Sequence, residues 1–170
     1  MGIHASIVRG VAAGELGTLA MDGLLYRRYL KAGGGSPFSE WESSAGVDGW
    51  SDAPAPARAA KRVLESVTKR EIPPRYARFL NNATHWGFGI ACGAAYGLLV
   101  RSHKPRPWYG LELGAVVWLA GYAVLPLLGV YKPIWKYDLQ TLEQDLSAHL
   151  LFGTATAAAY SILADAVDHQ

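Results

Sequence analysis

Four stretches of this chain are long, apolar and nearly free of charge, and they decide what it folds into. They cover residues 3–26, 79–100, 108–130 and 145–164. A helix crosses a hydrocarbon core about 30 Å thick with about 20 largely apolar residues. Each stretch meets that length. Lipid offers no partners to backbone N–H and C=O groups, so a spanning segment satisfies them internally as a helix. The alternation of apolar and polar residues that marks a half-buried strand is absent. The expected fold is all-α: an integral membrane four-helix bundle forming one domain over residues 1–170.

The mean hydropathy of +0.09 hides this pattern. Charge is concentrated in the first connector, residues 27–78, and in two short connectors. A soluble core of this size would interleave charged and apolar residues at helical or strand period. The net charge of +2 is too small to point to nucleic acid. A lone cysteine, Cys92, excludes an intramolecular disulfide. It sits among Gly and Ala, where a packed thiol is expected rather than a nucleophile. The N-terminal apolar run carries Glu15 and Asp22 and lacks a basic n-region, so it reads as a retained span and not a signal peptide. Met1-Gly2 with Ser6 also fits the permissive N-myristoylation pattern.

Aromatic residues mark the ends of the apolar stretches, as interfacial anchors do. Tyr26 and Tyr29 follow the first, Trp86 comes early in the second, Trp108 and Tyr109 open the third, and Tyr131, Trp135 and Tyr137 follow it. Small residues recur at helical spacing: Gly10 and Gly14, then Gly89, Gly93 and Gly97, then Gly110 and Gly114. Glycines four apart let helix backbones approach closely in lipid, where no hydrophobic effect drives association. They serve packing within one bundle or pairing between two copies.

Gly33-Gly34-Gly35-Ser36-Pro37 and Ala53-Pro54-Ala55-Pro56 break the first connector. Residues 57–71 read as a helix with an apolar stripe of Ala60, Val63, Leu64 and Val67. Arg58, Lys61, Arg62, Glu65 and Lys69 fill much of the rest. Pro73-Pro74 ends the segment. A basic amphipathic helix beside a span belongs in the membrane interface, with partner binding as the alternative. The first connector carries ten Lys and Arg, and the third adds Lys132 and Lys136. Against them stand Arg9, Arg101, Lys104 and Arg106 on the other face. The asymmetry places the first and third connectors in the cytoplasm.

Ionisable residues within spans are costly and are functional candidates. Asp22 lies one turn before the end of the first span, and His85 about one turn into the second, after Asn81, Asn82 and Thr84. Asp145 and His149 open the fourth. Antiparallel order brings those ends to one leaflet, along with Pro126 of the third span. Asp145 and His149 are spaced i, i+4 and share a helix face. Glu15 and Asp22, seven apart, share a face with Thr18 between them, Glu15 lying about 10 Å deeper. The residues fit three roles: a polar cavity passing protons or a small solute, a metal site built on His85, His149 and Asp145, or interhelical hydrogen bonds that hold the bundle together. His4, His103 and His169 read as solvated.

No Walker loop, dinucleotide glycine pattern or H-E-x-x-H is present, so no cofactor is expected and an enzyme is disfavoured. Four segments resemble the bacterial inner-membrane protein family typified by YagU: Gly10–Asp22; Thr84-His85 followed by Ala94-Ala95-Tyr96; Trp108-Tyr109-Gly110 leading to Leu125-Pro126-Leu127-Leu128-Gly129; and Asp145-x-x-x-His149. The resemblance covers the spans and not the long connector. It implies the four-span architecture and no particular activity. The Ala, Gly and Arg richness also fits a bacterial source. The expected function is proton or small-solute handling through Asp22, His85, Asp145 and His149. The alternative is a non-catalytic accessory or assembly protein that binds a membrane partner or anionic lipid through the first connector, while the partners expected for the chain as a whole are the lipid bilayer and a second copy or another membrane protein.

Overall fold

The computed structural model describes residues 2–102 and 107–168. His103, Lys104, Arg106, His169 and Met1 lie outside the described residues. The chain is all-helical, with no strand among the described residues. Four long helices, α1 (Ile3–Lys31), α4 (Ala77–Val100), α5 (Pro107–Leu127) and α6 (Leu139–Asp168), are joined by connectors. The first connector holds two shorter helices, α2 (Phe38–Glu42) and α3 (Ala55–Thr68). Among the described residues two helices, α5 and α6, are long and apolar enough to cross a membrane.

The helix ends follow from local chemistry. α1 runs past Tyr26 and stops where Gly33 adopts a left-handed φ of 93°. The amide of Gly33 then donates to Leu30 and that of Gly34 to Tyr29, capping carbonyls that the helix leaves free. α5 stops earlier than the apolar stretch, at Leu127, by the same device. Gly129 is left-handed, its amide donates to Pro126, and the Val130 amide donates to Leu125. α6 begins at Leu139, before the apolar run, because Asp138 caps it: its Oδ1 accepts from the Thr141 amide at 2.8 Å. These bonds hold the Asp138 carboxyl below its usual range, the Thr141 amide contributing most and the Thr141 hydroxyl next. α3 ends at Thr68, short of the expected residue 71, at a left-handed Lys69.

The chain divides into two compact units. The first comprises residues 1–25, 88–119 and 138–170. Its helices meet through glycine. A Cβ on Gly10 or Gly14 of α1 would overlap the carbonyls of Gly93 and Gly89 on α4. A Cβ on Gly110 of α5 would come 2.7 Å from the Gly153 carbonyl of α6, and one on Gly114 would overlap that of His149. Gly17 of α1 packs on Phe152 and Thr156 of α6. Tyr160 is the largest fully buried side chain; its hydroxyl donates to the Gly97 carbonyl at 3.3 Å and its ring meets Tyr96 edge-on. Among the described residues the next largest fully buried side chains are Thr18, Thr156 and Ser6. The outward surface of this unit carries Ile3, Val8, Leu16, Leu19, Phe88, Leu99, Leu111, Val116 and Ile162.

The second unit, residues 26–87 and 120–137, is built differently. Tyr26, Tyr29, Phe38 and Trp41 form an aromatic cluster with neighbouring centroids 5.1–6.2 Å apart. The Tyr26 hydroxyl donates to the Ser36 carbonyl, and the Tyr29 hydroxyl accepts from the amides of Gly35 and Ser36. A small apolar core of Ala53, Ala57 and Ala77 is covered by Val47 and Trp50. Tyr122, Tyr131 and Tyr137 form a second aromatic group after α5.

Candidate functional site

α3 is the element of the second unit with the most uneven surface. Ala57 faces the small core, while Val63, Leu64 and Val67 are exposed, Val67 to 75%. A soluble connector gains nothing by presenting a contiguous apolar edge to water. Arg58, Arg62 and Lys69 lie exposed along the same helix and its cap, and Lys61 is half-buried. Lys61, Glu65, Lys69, Arg70 and Glu71 line a shallow cleft at its C-terminal end. Lys61 Nζ stands 5.4 Å from the Trp50 ring centroid and donates to Glu65 Oε2 at 3.1 Å. Glu65 Oε1 accepts from the Ile72 amide at 3.0 Å, and Trp50 Nε1 donates to the Ile72 carbonyl at 2.9 Å. The Ile72 amide, then the Lys61 ammonium, keep the Glu65 carboxyl below the usual glutamate range. This network folds the chain after α3 back onto Trp50 and fixes the direction in which the apolar edge faces.

The intraspan ionisable residues lie on α1, α4 and α6. Asp22 of α1, in the first unit, is buried to 2% exposure. Asp145 and His149 of α6, also in the first unit, are half-buried. Their expected pairing takes a particular form. His149 Nδ1 lies 2.8 Å from the backbone carbonyl of Asp145 and 3.8 Å from its carboxylate oxygen. A carbonyl only accepts, so Nδ1 carries the proton and is engaged within its own helix. That removes one of the two His149 nitrogens from metal ligation. Glu15 and Asp22, expected on one face of α1, differ in burial. Glu15 is exposed beside Leu16, whereas Thr18 and Asp22 are buried. Seven residues fall short of two helical turns by about 20°, so the two positions lie close in angle and the edge of the packed face falls near them.

His85 belongs to the second unit, half-buried on α4 with its ring edge-on to Trp86. The residue that sequence reasoning missed is Glu42, at the end of α2. It brings a carboxylate oxygen within 4.8 Å of a His85 ring nitrogen. The residues after Glu42 are bound to α4: Arg78 Nε and Asn82 Nδ2 donate to the Ser43 carbonyl at 2.8 and 2.9 Å, and Asn81 Nδ2 donates to Ser44 Oγ at 2.8 Å. Ser44 takes a left-handed φ of 52°, turning the chain away immediately after this contact. No local signal marks Glu42, because the α4 partners of Ser43 and Ser44 lie 35–39 residues away in sequence.

No family model, curated protein or solved structure matches this chain.

Proposed function

We propose that this chain is a multi-pass membrane protein in which α1, α4, α5 and α6 all span, and that it acts as a non-catalytic accessory or assembly protein whose first connector rests on an anionic lipid surface. The observation that carries the spanning reading is the inverted distribution in the first unit. Gly, Ala, Ser and Thr line the seams where its helices touch, with Tyr96, Val100, Phe152 and Tyr160 as the large buried residues, while many Leu, Val, Ile and Phe side chains face out. A water-soluble bundle places its large apolar residues inside. A bundle in lipid gains nothing from hiding them and instead packs small residues at the helix seams. Glu15 interrupts the outward apolar surface of α1. The Lys and Arg asymmetry orients the first and third connectors to the cytoplasm, and the resemblance to the YagU-typified family supports the same four spans in a bacterial inner membrane.

The accessory role rests on α3. Its exposed Val63, Leu64 and Val67, flanked by Arg58, Arg62 and Lys69, suit insertion into a headgroup layer carrying negative charge. The glycine seams weigh against a solute path through the bundle, because backbones in contact leave no lumen between α1 and α4 or between α5 and α6. Two measurements test the proposal. Alkaline carbonate should fail to extract the protein from membranes; release into the wash overturns the spanning reading. A nitroxide at position 67, introduced as Val67→Cys with Cys92→Ala in the full chain, should report burial in oxygen-rich lipid. The burial should deepen when phosphatidylglycerol is added to phosphatidylcholine bilayers. A label that stays water-exposed in both overturns the lipid-surface role.

A further inference from the structure

We infer that Glu42 and His85 form a binding site for a divalent transition metal such as zinc, with the Asn81 side-chain oxygen as a further donor. The site is independent of the membrane reading. One Glu42 carboxylate oxygen and one His85 ring nitrogen lie within 4.8 Å of each other, a separation a shared ion at about 2.0–2.2 Å from each can bridge with slight contraction. Glu42 Oε1 is itself shielded from solvent. The second observation is Asn81. It is 8% exposed, and its Oδ1 is buried without a hydrogen-bond partner, although its Nδ2 is bound to Ser44. A buried amide oxygen left without a donor costs about 1–3 kcal/mol unless something fills its lone pairs. Asn81 precedes His85 by four residues, so the two project from the same face of α4. Imidazole nitrogen with carboxylate and amide oxygens is the donor set of zinc or ferrous iron rather than of calcium or magnesium.

The site is also built. A metal ligand on a five-residue helix such as α2 would be mobile by itself. Here Ser43 and Ser44 are clamped to Arg78, Asn81 and Asn82 on the helix that carries His85. Asn81 therefore has two tasks: its amide nitrogen fixes the chain beside Glu42, and its amide oxygen, buried and without a donor, is left to accept a cation. Water completes the coordination.

The test uses the full chain purified in detergent, stripped with EDTA and titrated with Co²⁺ as a spectroscopic probe for zinc. Visible ligand-field bands should saturate at one ion per chain, and Zn²⁺ should displace them. Glu42→Gln and His85→Gln should each remove saturable binding, and Asn81→Ala should weaken it by roughly tenfold or more. His149→Ala should bind like the parent. Circular dichroism and size-exclusion profiles identify any variant that fails to fold, and Glu42→Gln, being isosteric, keeps the test decisive if His85→Gln does not. No saturable bands in the parent, or bands unchanged in both Glu42→Gln and His85→Gln, overturn the site and leave the two residues as a plain ion pair.

Discussion

Gly93 and Gly87 lie on the same helix, α4, and meet opposite surroundings. Gly93 is in the first unit, where an added Cβ would come 2.6 Å from the Gly14 Cα and 2.7 Å from its nitrogen on α1. Gly87 is in the second unit, where an added Cβ meets nothing within 4 Å. The contrast extends to the units themselves. The first is held by side chains that are small enough for backbones to touch. The second is held by side chains that reach: Tyr26 to Ser36, Trp50 to Ile72, Arg78 to Ser43. Close backbone packing is the economy of helices in lipid, where apolar side chains are equally content outside. Polar and aromatic anchoring is what a connector in water or at an interface needs, since it lacks the length to bury a large apolar core.

The largest effect should come from breaking the first unit's seam. Gly93→Leu forces α1 and α4 apart and should cost about 3 kcal/mol in the reversible unfolding of the detergent-solubilised protein. Gly87→Ala should move the other way, stabilising by about 0.5–1 kcal/mol, because alanine loses less conformational freedom in a helix than glycine does. Equal responses at the two positions would remove the distinction between the units.

That distinction was partly legible in the sequence. Apolar length and glycine spacing are local and periodic, so helices and their candidate contact faces could be read from residues such as Gly10, Gly14, Gly89 and Gly93. Helix ends were less legible, because Gly33 and Gly129 cap by hydrogen bonds that depend on left-handed backbone rather than on hydropathy. Glu15 and Asp22 are close in angle by spacing, yet one is exposed and the other buried, because spacing along one helix does not say where its packed face ends. Glu42 was not legible at all. Nothing in Phe38-Ser39-Glu40-Trp41-Glu42 announces a ligand, and what places it beside His85 is a set of side-chain bonds from α4 to Ser43 and Ser44. Long-range polar contacts leave no period in a sequence.

An intermediate effect should follow from removing a reaching side chain in the second unit. Trp50→Ala deletes the ring that packs on the Ala53–Ala57–Ala77 core, the bond to the Ile72 carbonyl and the face over which Lys61 sits. Trp50 is half-buried, so the cost should be about 2 kcal/mol rather than the larger value of a fully buried tryptophan. Hydrogen exchange should place the loss in residues 47–77 and leave α5 and α6 protected as in the parent. Uniform deprotection of both units would mean that they unfold together and that the connector is not a separate level of stability.

The smallest effect is a pH dependence confined to the second unit. Glu65 has a folded pKa below its ordinary value of 4.5, held there by the Ile72 amide and Lys61. A carboxylate with a depressed folded pKa contributes stability above its unfolded value, and that contribution is lost as pH falls through the folded value. The loop after α3 should therefore be fully ordered at neutral pH and should loosen only below about pH 4.5. Both groups that hold Glu65 down lie near the surface, so solvent screening keeps the energy small. Hydrogen exchange at the Ile72 amide is the sensitive readout, because that N–H is the donor the protonated carboxyl accepts less well. Glu65→Gln keeps an acceptor oxygen but cannot titrate; it should make exchange at Ile72, corrected for its intrinsic rate, independent of pH across this range. A parent-like pH response in Glu65→Gln would assign the loosening to another acid and detach the Trp50–Lys61–Glu65–Ile72 network from the orientation of α3.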